Sequence, residues 1–139
     1  MNPIYLEPAA LAGMLGRPDV RVVDTRASLA DGPAGTDMWA AGHVPGAVHA
    51  DWIEDWGVTV GGVEGMLPPP EEFAAALSRL GIGNDTLVVA YDDNSLFTAS
   101  RLAWALLEHG HERVAILDGG FPAWQAAGYE ISTDEADGR

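Results

Sequence analysis

The stretch VVAYDDNSLFTASRLAWALLEHG (Val88–Gly110) decides the fold class. With Thr86 and Leu87 before it, its first part is a short apolar run rich in β-branched residues and closed by two aspartates, which predicts a buried strand over Thr86–Tyr91. Apolar residues then recur at helical spacing: Leu102, Ala103, Leu106 and Leu107 mark the inner face of a helix expected over Leu96–His109, with Gly110 at its end. A strand that is apolar along its length and runs into a helix belongs to a parallel sheet covered on both faces. Between the two lies DDNSLF (Asp92–Phe97). Free backbone N–H groups and the positive end of the helix dipole converge at such a junction, so this loop is the candidate anion cradle.

Working outward, the same alternation recurs. Val20–Arg26 (VRVVDTR) reads as a strand ending in polar residues, after a short helix expected over Pro8–Leu15. Ala27–Thr36 is a loop, and Asp37–Gly42 supports at most a turn or two of helix with Asp37 as N-cap. Pro45-Gly46 predicts a turn and Ala47–Ala50 a short strand. Trp52–Leu67, rich in glycine with scattered aromatics and acids, reads as loop. Pro68–Ile82 is a clear helix, with prolines before it, Glu71 and Glu72 in its first turn and an inner stripe of Phe73, Ala76, Leu77 and Leu80. Arg113–Asp118 is a further strand, and Gly119–Tyr129 a turn and a helix. The tail STDEADGR is polar, an acidic linker or frayed terminus over 132–139 behind one domain over 1–131. The expected fold is α/β: a central parallel sheet of about five strands flanked by helices on both faces. Function in such sheets sits at the strands' carboxyl ends, where Asp24, Asp92 and Asp118 all close strands.

Composition narrows the chemistry. The chain has 139 residues, a net charge of −14, no lysine and no cysteine. Disulfides, thiolate metal sites and a thiol nucleophile of the chain's own are excluded. An acidic surface disfavours nucleic acid and anionic membrane. No apolar run approaches a membrane span and the amino terminus lacks the pattern of a signal peptide, so a cytoplasmic location is expected. Three aspartates at strand ends suggest an aspartyl nucleophile with Mg²⁺, but such sites normally use a lysine to neutralise the phosphoryl oxygens. Ser95 has no nucleophile-elbow sequence around it, and the phosphate-loop pattern is missing. His43, His49, His109 and His111 match no standard ligand spacing, so structural roles, no metal and no cofactor are expected. Trp52 and Trp56, among Asp51, Glu54 and Asp55, suit either a partner surface or packing.

Several separate stretches together resemble the rhodanese-like domain. VVDTR (Val22–Arg26) is similar to its first core strand, GHVPGAV (Gly42–Val48) to its G-H-[IV]-P-G-A motif, VVAYD (Val88–Asp92) to the strand before its catalytic loop, and LDGGFPAWQAAG (Leu117–Gly128) to its L-D-G-G-x-x-A-W-x-x-A-G signature. The resemblance implies a cysteine directly after the strand-ending tyrosine, carrying sulfur as a persulfide within the loop's amides. Here Asp92 stands at that position. The stretches Met66–Ile82 and Ser100–His111 further resemble the amino-terminal half of tandem thiosulfate/3-mercaptopyruvate sulfurtransferases, in which a catalytically silent first domain packs on a second that supplies the cysteine.

Two functions follow from the resemblance. One is a silent half that shapes the site of a cysteine-bearing rhodanese domain, in the same or a separate chain. The other is a stand-alone anion-binding or regulatory module without sulfur transfer. In both, no catalytic residue is expected. The active-site-like loop is Asp92, Asp93, Asn94, Ser95, Leu96 and Phe97, and the candidate partner is a second rhodanese domain or another copy of the chain.

Overall fold

A computed structural model of the chain describes residues 4–27, 32, 34–94 and 97–138. Five strands form one parallel sheet: β1 (Ile4–Leu6), β2 (Val20–Asp24), β3 (Val48–His49), β6 (Leu87–Tyr91) and β7 (Val114–Leu117), in the order β1-β7-β6-β2-β3. Registry brings the carboxyl ends of the three inner strands level, with Asp24 opposite Tyr91 and Ala90 opposite Ile116. Both faces are covered because the strands are apolar on both sides. Val23, Val88, Ala90, Val114 and Ile116 pack under α3 (Pro70–Arg79) and α4 (Thr98–Glu108). Val22, Val89, Tyr91, Ala115 and Leu117 face α1 (Pro8–Ala12) and α5 (Gly120–Ala126) through Leu11, Phe121 and Trp124.

The helical stripes are those the spacing predicts. Leu102, Ala103 and Leu106 of α4 are fully buried, as are Phe73 and Ala76 of α3 almost completely, while Leu77 and Leu107 pack at the margin. A fully buried leucine contributes about 1.5–3 kcal/mol from its transfer out of water.

Several expectations are corrected. Helix α1 stops at Ala12, and α2 (Gly35–Ala41) starts two residues before Asp37, with Ala34 at the N-cap; Asp37 lies in its first turn. The stretch 52–67 is not all loop. It contains a two-stranded antiparallel ribbon, β4 (Val58–Val60) and β5 (Val63–Met66), joined by Gly61 and Gly62 at φ of 59° and 81°. Two successive positive φ angles make this a turn of the mirror-image type, which glycine permits. Trp56 is a core residue, 3% exposed and edge-on to Phe73, and does not belong to a surface. Strand β1 lies outside the expected elements: it is a three-residue edge strand whose first two residues are exposed. No helix among the described residues is long and apolar enough to cross a membrane.

Candidate functional site

The carboxyl edge of the sheet is organised by one buried ion pair. Asp24 ends β2, and its carboxylate accepts the Arg26 backbone N–H at 2.9 Å and the Arg26 guanidinium at 2.7–3.2 Å. The same guanidinium donates to the carbonyl of Gly42 at 2.6 Å and that of Met38 at 3.2 Å, and stacks 4.2 Å over the Phe121 ring. Tyr91, fully buried at the end of β6, donates its hydroxyl to Asp24 Oδ2 at 2.8 Å and accepts the N–H of Val44 at 3.1 Å. Burial, reinforced by the Asp24 anion, raises the Tyr91 phenol well above its usual 10.0; the Val44 N–H and Arg26 oppose this but do not win. Thr25 bonds the carbonyl of Tyr91 and the hydroxyl of Thr98, tying the end of β2 to the first residue of α4.

The cradle between β6 and α4 is filled by its own first residue. Asp92 is 5% exposed. Its Oδ1 accepts the N–H of Asn94 at 2.9 Å and its Oδ2 that of Ala99 at 3.0 Å. Because Ala99 is the second residue of α4, Asp92 caps a helix that begins six residues later. An anion at a helix N-terminus satisfies free donors and is favoured by the helix dipole. The Asp92 carbonyl accepts the N–H of Phe121, and a Cβ at Gly120, at φ 64°, would collide with that carbonyl. Glycine there lets α5 close against the loop. Asn94 bonds the Gly119 carbonyl at 2.9 Å, and both Asn94 and Phe97 adopt positive φ. The Phe97 side chain is 66% exposed. Ser95 and Leu96 lie outside the described residues. Asp93 is half-buried beside a cleft of about 480 Å³ that Arg26, Met38, Gly42, Phe121 and Ile131 also line.

The three strand-ending aspartates do not converge as an aspartyl-Mg²⁺ site would require. Asp24 is bound to Arg26, Asp92 to two amides, and Asp118 is exposed. Among the described residues no three potential ligands gather around one point. Each histidine instead bonds a backbone carbonyl: His43 that of Trp39, His49 that of Arg26, His109 that of Pro68 and His111 that of Thr86. Buried His43 also holds the tail. It exchanges backbone hydrogen bonds with Ser132, and its Nε2 lies 2.9 Å from Asp137 Oδ2.

The motifs VVDTR, GHVPGAV and LDGGFPAW therefore meet through Asp24, Arg26, Gly42 and Phe121, at the mouth of the loop that opens with Asp92. The model of the rhodanese-like domain matches residues 7–127. The chain belongs to the rhodanese-like family. Its relatives include thiosulfate/3-mercaptopyruvate sulfurtransferase 2 of Arabidopsis thaliana, 37% identical over 86% of this chain and 35% of the relative. The 3-mercaptopyruvate sulfurtransferase of Escherichia coli K12 is 38% identical over 83% of this chain and 41% of its own length. The crystal structure of SseA from Escherichia coli, described as a 3-mercaptopyruvate sulfotransferase with the rhodanese fold, superposes with a TM-score of 0.82 at 32% identity, over 94% of this chain and 52% of that one. This rhodanese-like domain thus spans well under half the length of those two curated relatives. Arg26 is the site residue that loop-by-loop reading missed. It lies 66 residues before Asp92, and its only local signal is the Asp-Thr-Arg run at a strand end.

Proposed function

We propose that this rhodanese-like domain is the catalytically silent half of a thiosulfate/3-mercaptopyruvate sulfurtransferase, which packs on a cysteine-bearing rhodanese domain and forms one wall of its site. The observation that carries this reading is the Asp92 carboxylate seated on the amides of Asn94 and Ala99, in a chain without cysteine. A carboxylate fits the cradle but offers no sulfur atom on which a persulfide could form. Those amide hydrogens are already bonded, which weighs against an external anion in the loop and so against the stand-alone anion-binding alternative. Support for a docked partner comes from the outer face of α4. Phe97 and Trp104 are exposed there, and Arg101 between them stacks on Trp52 and donates to Gly65 of the β4–β5 ribbon, next to half-exposed Met66. Exposed aromatics beside an arginine are the residue types enriched in interface cores.

The test has two parts. The purified chain, incubated with thiosulfate and cyanide, is expected to form no thiocyanate above a buffer blank; turnover that disappears in Asp92→Asn overturns the silent assignment. Mixed with a cysteine-bearing rhodanese domain from a tandem sulfurtransferase, it is expected to sediment as a complex that Trp104→Glu weakens by about tenfold or more. Absence of any complex, with the chain remaining monomeric, counts against the docking role.

A further inference from the structure

At the opposite edge of the sheet, where the strands begin, we infer a binding site for a phosphate- or sulfate-type oxyanion. A cleft of about 460 Å³ opens there between the start of β2 and the end of α3, lined by Arg17, Arg21, Arg79, Ser78, Gly81 and Thr86 among others. The chain carries 21 acidic residues, yet none lines this cleft, and three of its seven arginines do. Arg17 is engaged by Asp19 through two hydrogen bonds. Arg21 and Arg79 have no carboxylate at ion-pair distance among the described residues. Arg21 is anchored: its Nε donates to the Leu80 carbonyl at 2.7 Å, which fixes the plane of the guanidinium and leaves its Nη groups for the cleft.

The anchoring is what separates this cleft from a scatter of surface cations. A guanidinium held by one of its nitrogens presents the rest of its fork in a set direction, which matches the oxygen edge of a tetrahedral oxyanion and loses less entropy on binding. Burial also pulls the Arg21 pKa below its ordinary value, the mark of a cation partly removed from water with no anion to compensate it. Thr86 accepts the Gly83 N–H at its hydroxyl oxygen, so its O–H proton is left to donate, and exposed Ser78 lines the same cleft. The overall charge of −14 opposes anions only at long range. Within a Debye length of about 8 Å at physiological salt, Asp19 offsets Arg17, and Arg21 and Arg79 supply the positive charge. The volume falls within the range of small-ligand sites, about 300–1,000 Å³, so a phosphorylated metabolite fits as well as a free ion.

The experiment is a titration of the full chain, followed by backbone amide shifts in ¹⁵N-resolved spectra, with sodium phosphate, sodium sulfate and adenosine monophosphate. Sodium chloride at matched ionic strength is the control. Saturable shifts centred on Gly81 and Thr86 are expected. Arg79→Gln, an exposed position outside the core, and Arg21→Lys, which keeps the charge but removes the fork, should each weaken binding by about tenfold, the loss expected for one charge-assisted hydrogen bond. Comparable affinity for phosphate and the nucleotide identifies a free oxyanion as the occupant; clearly tighter binding of the nucleotide identifies a phosphorylated metabolite. Shifts that fail to saturate, that chloride reproduces, or that survive both substitutions overturn the site.

Discussion

Tyr91 shows how one side chain couples the motifs. It closes the apolar run of β6, yet its hydroxyl holds both Asp24 and the backbone of Val44 in the GHVPGAV segment. Tyr91→Phe keeps the ring and leaves a buried N–H without its acceptor, at a cost of about 1–3 kcal/mol near neutral pH, measurable by urea unfolding. Alkali gives a second readout. The folded phenol is raised and the unfolded one titrates near 10.0, so the contribution is complete below pH 10 and is lost as pH climbs from there toward the folded value. Wild-type stability should therefore fall more steeply above pH 10 than that of Tyr91→Phe. Parallel slopes would show that Tyr91 does not titrate as its surroundings require.

At the scale of the element, α4 depends on a residue outside itself. Its own N-cap position is Phe97, with a left-handed backbone and no side-chain cap, and the missing acceptor comes from Asp92. Asp92→Ala should destabilise the domain by about 1–3 kcal/mol, with loss of hydrogen-exchange protection concentrated at Ala99 and the first turn of α4. Asp92→Cys probes the same donors with a different anion. The thiol should titrate below its ordinary value of about 8.5, as thiols at helix N-termini do, and its ultraviolet absorbance measures this. An unshifted thiol would mean that the amides follow the carboxylate and are not fixed in place.

Across the whole molecule, the tail is joined to the fold through His43. Burial alone would push the Asp137 carboxyl up, but hydrogen bonds from Ser132 and His43 outweigh it and hold the carboxyl below its usual 3.8. A carboxyl depressed in the folded state adds stability above the unfolded value, and that stability is lost as pH falls through the folded one. Asp137→Asn should accordingly be less stable than wild type at pH 6, with the gap narrowing as pH falls below 3.8, as measured by urea midpoints across that range. A difference that persists undiminished in acid would assign the effect of Asp137 to packing and not to its charge.

The periodicity of Val88–Gly110 and Phe73–Leu80 determined the layered α/β fold, because burial on one helical face or on both faces of a strand is written at fixed spacing. The loop that opens with Asp92 was legible for the same reason, as the junction of such a strand with such a helix. Strand β1 was not, because three partly exposed residues become a strand only when β7 offers its free edge. The ribbon around Gly61-Gly62 carried a turn signal but no strongly alternating apolar pattern, and Val60 and Val63 remain exposed in the fold. Likewise, sequence placed an aspartate in the cradle, whereas its pairing with the amides of Asn94 and Ala99, and the burial of Arg26 between Asp24, Gly42 and Phe121, exist only once distant segments are packed together. Local pattern specifies which surfaces must be buried, and only tertiary packing selects the partner that each buried polar group finds.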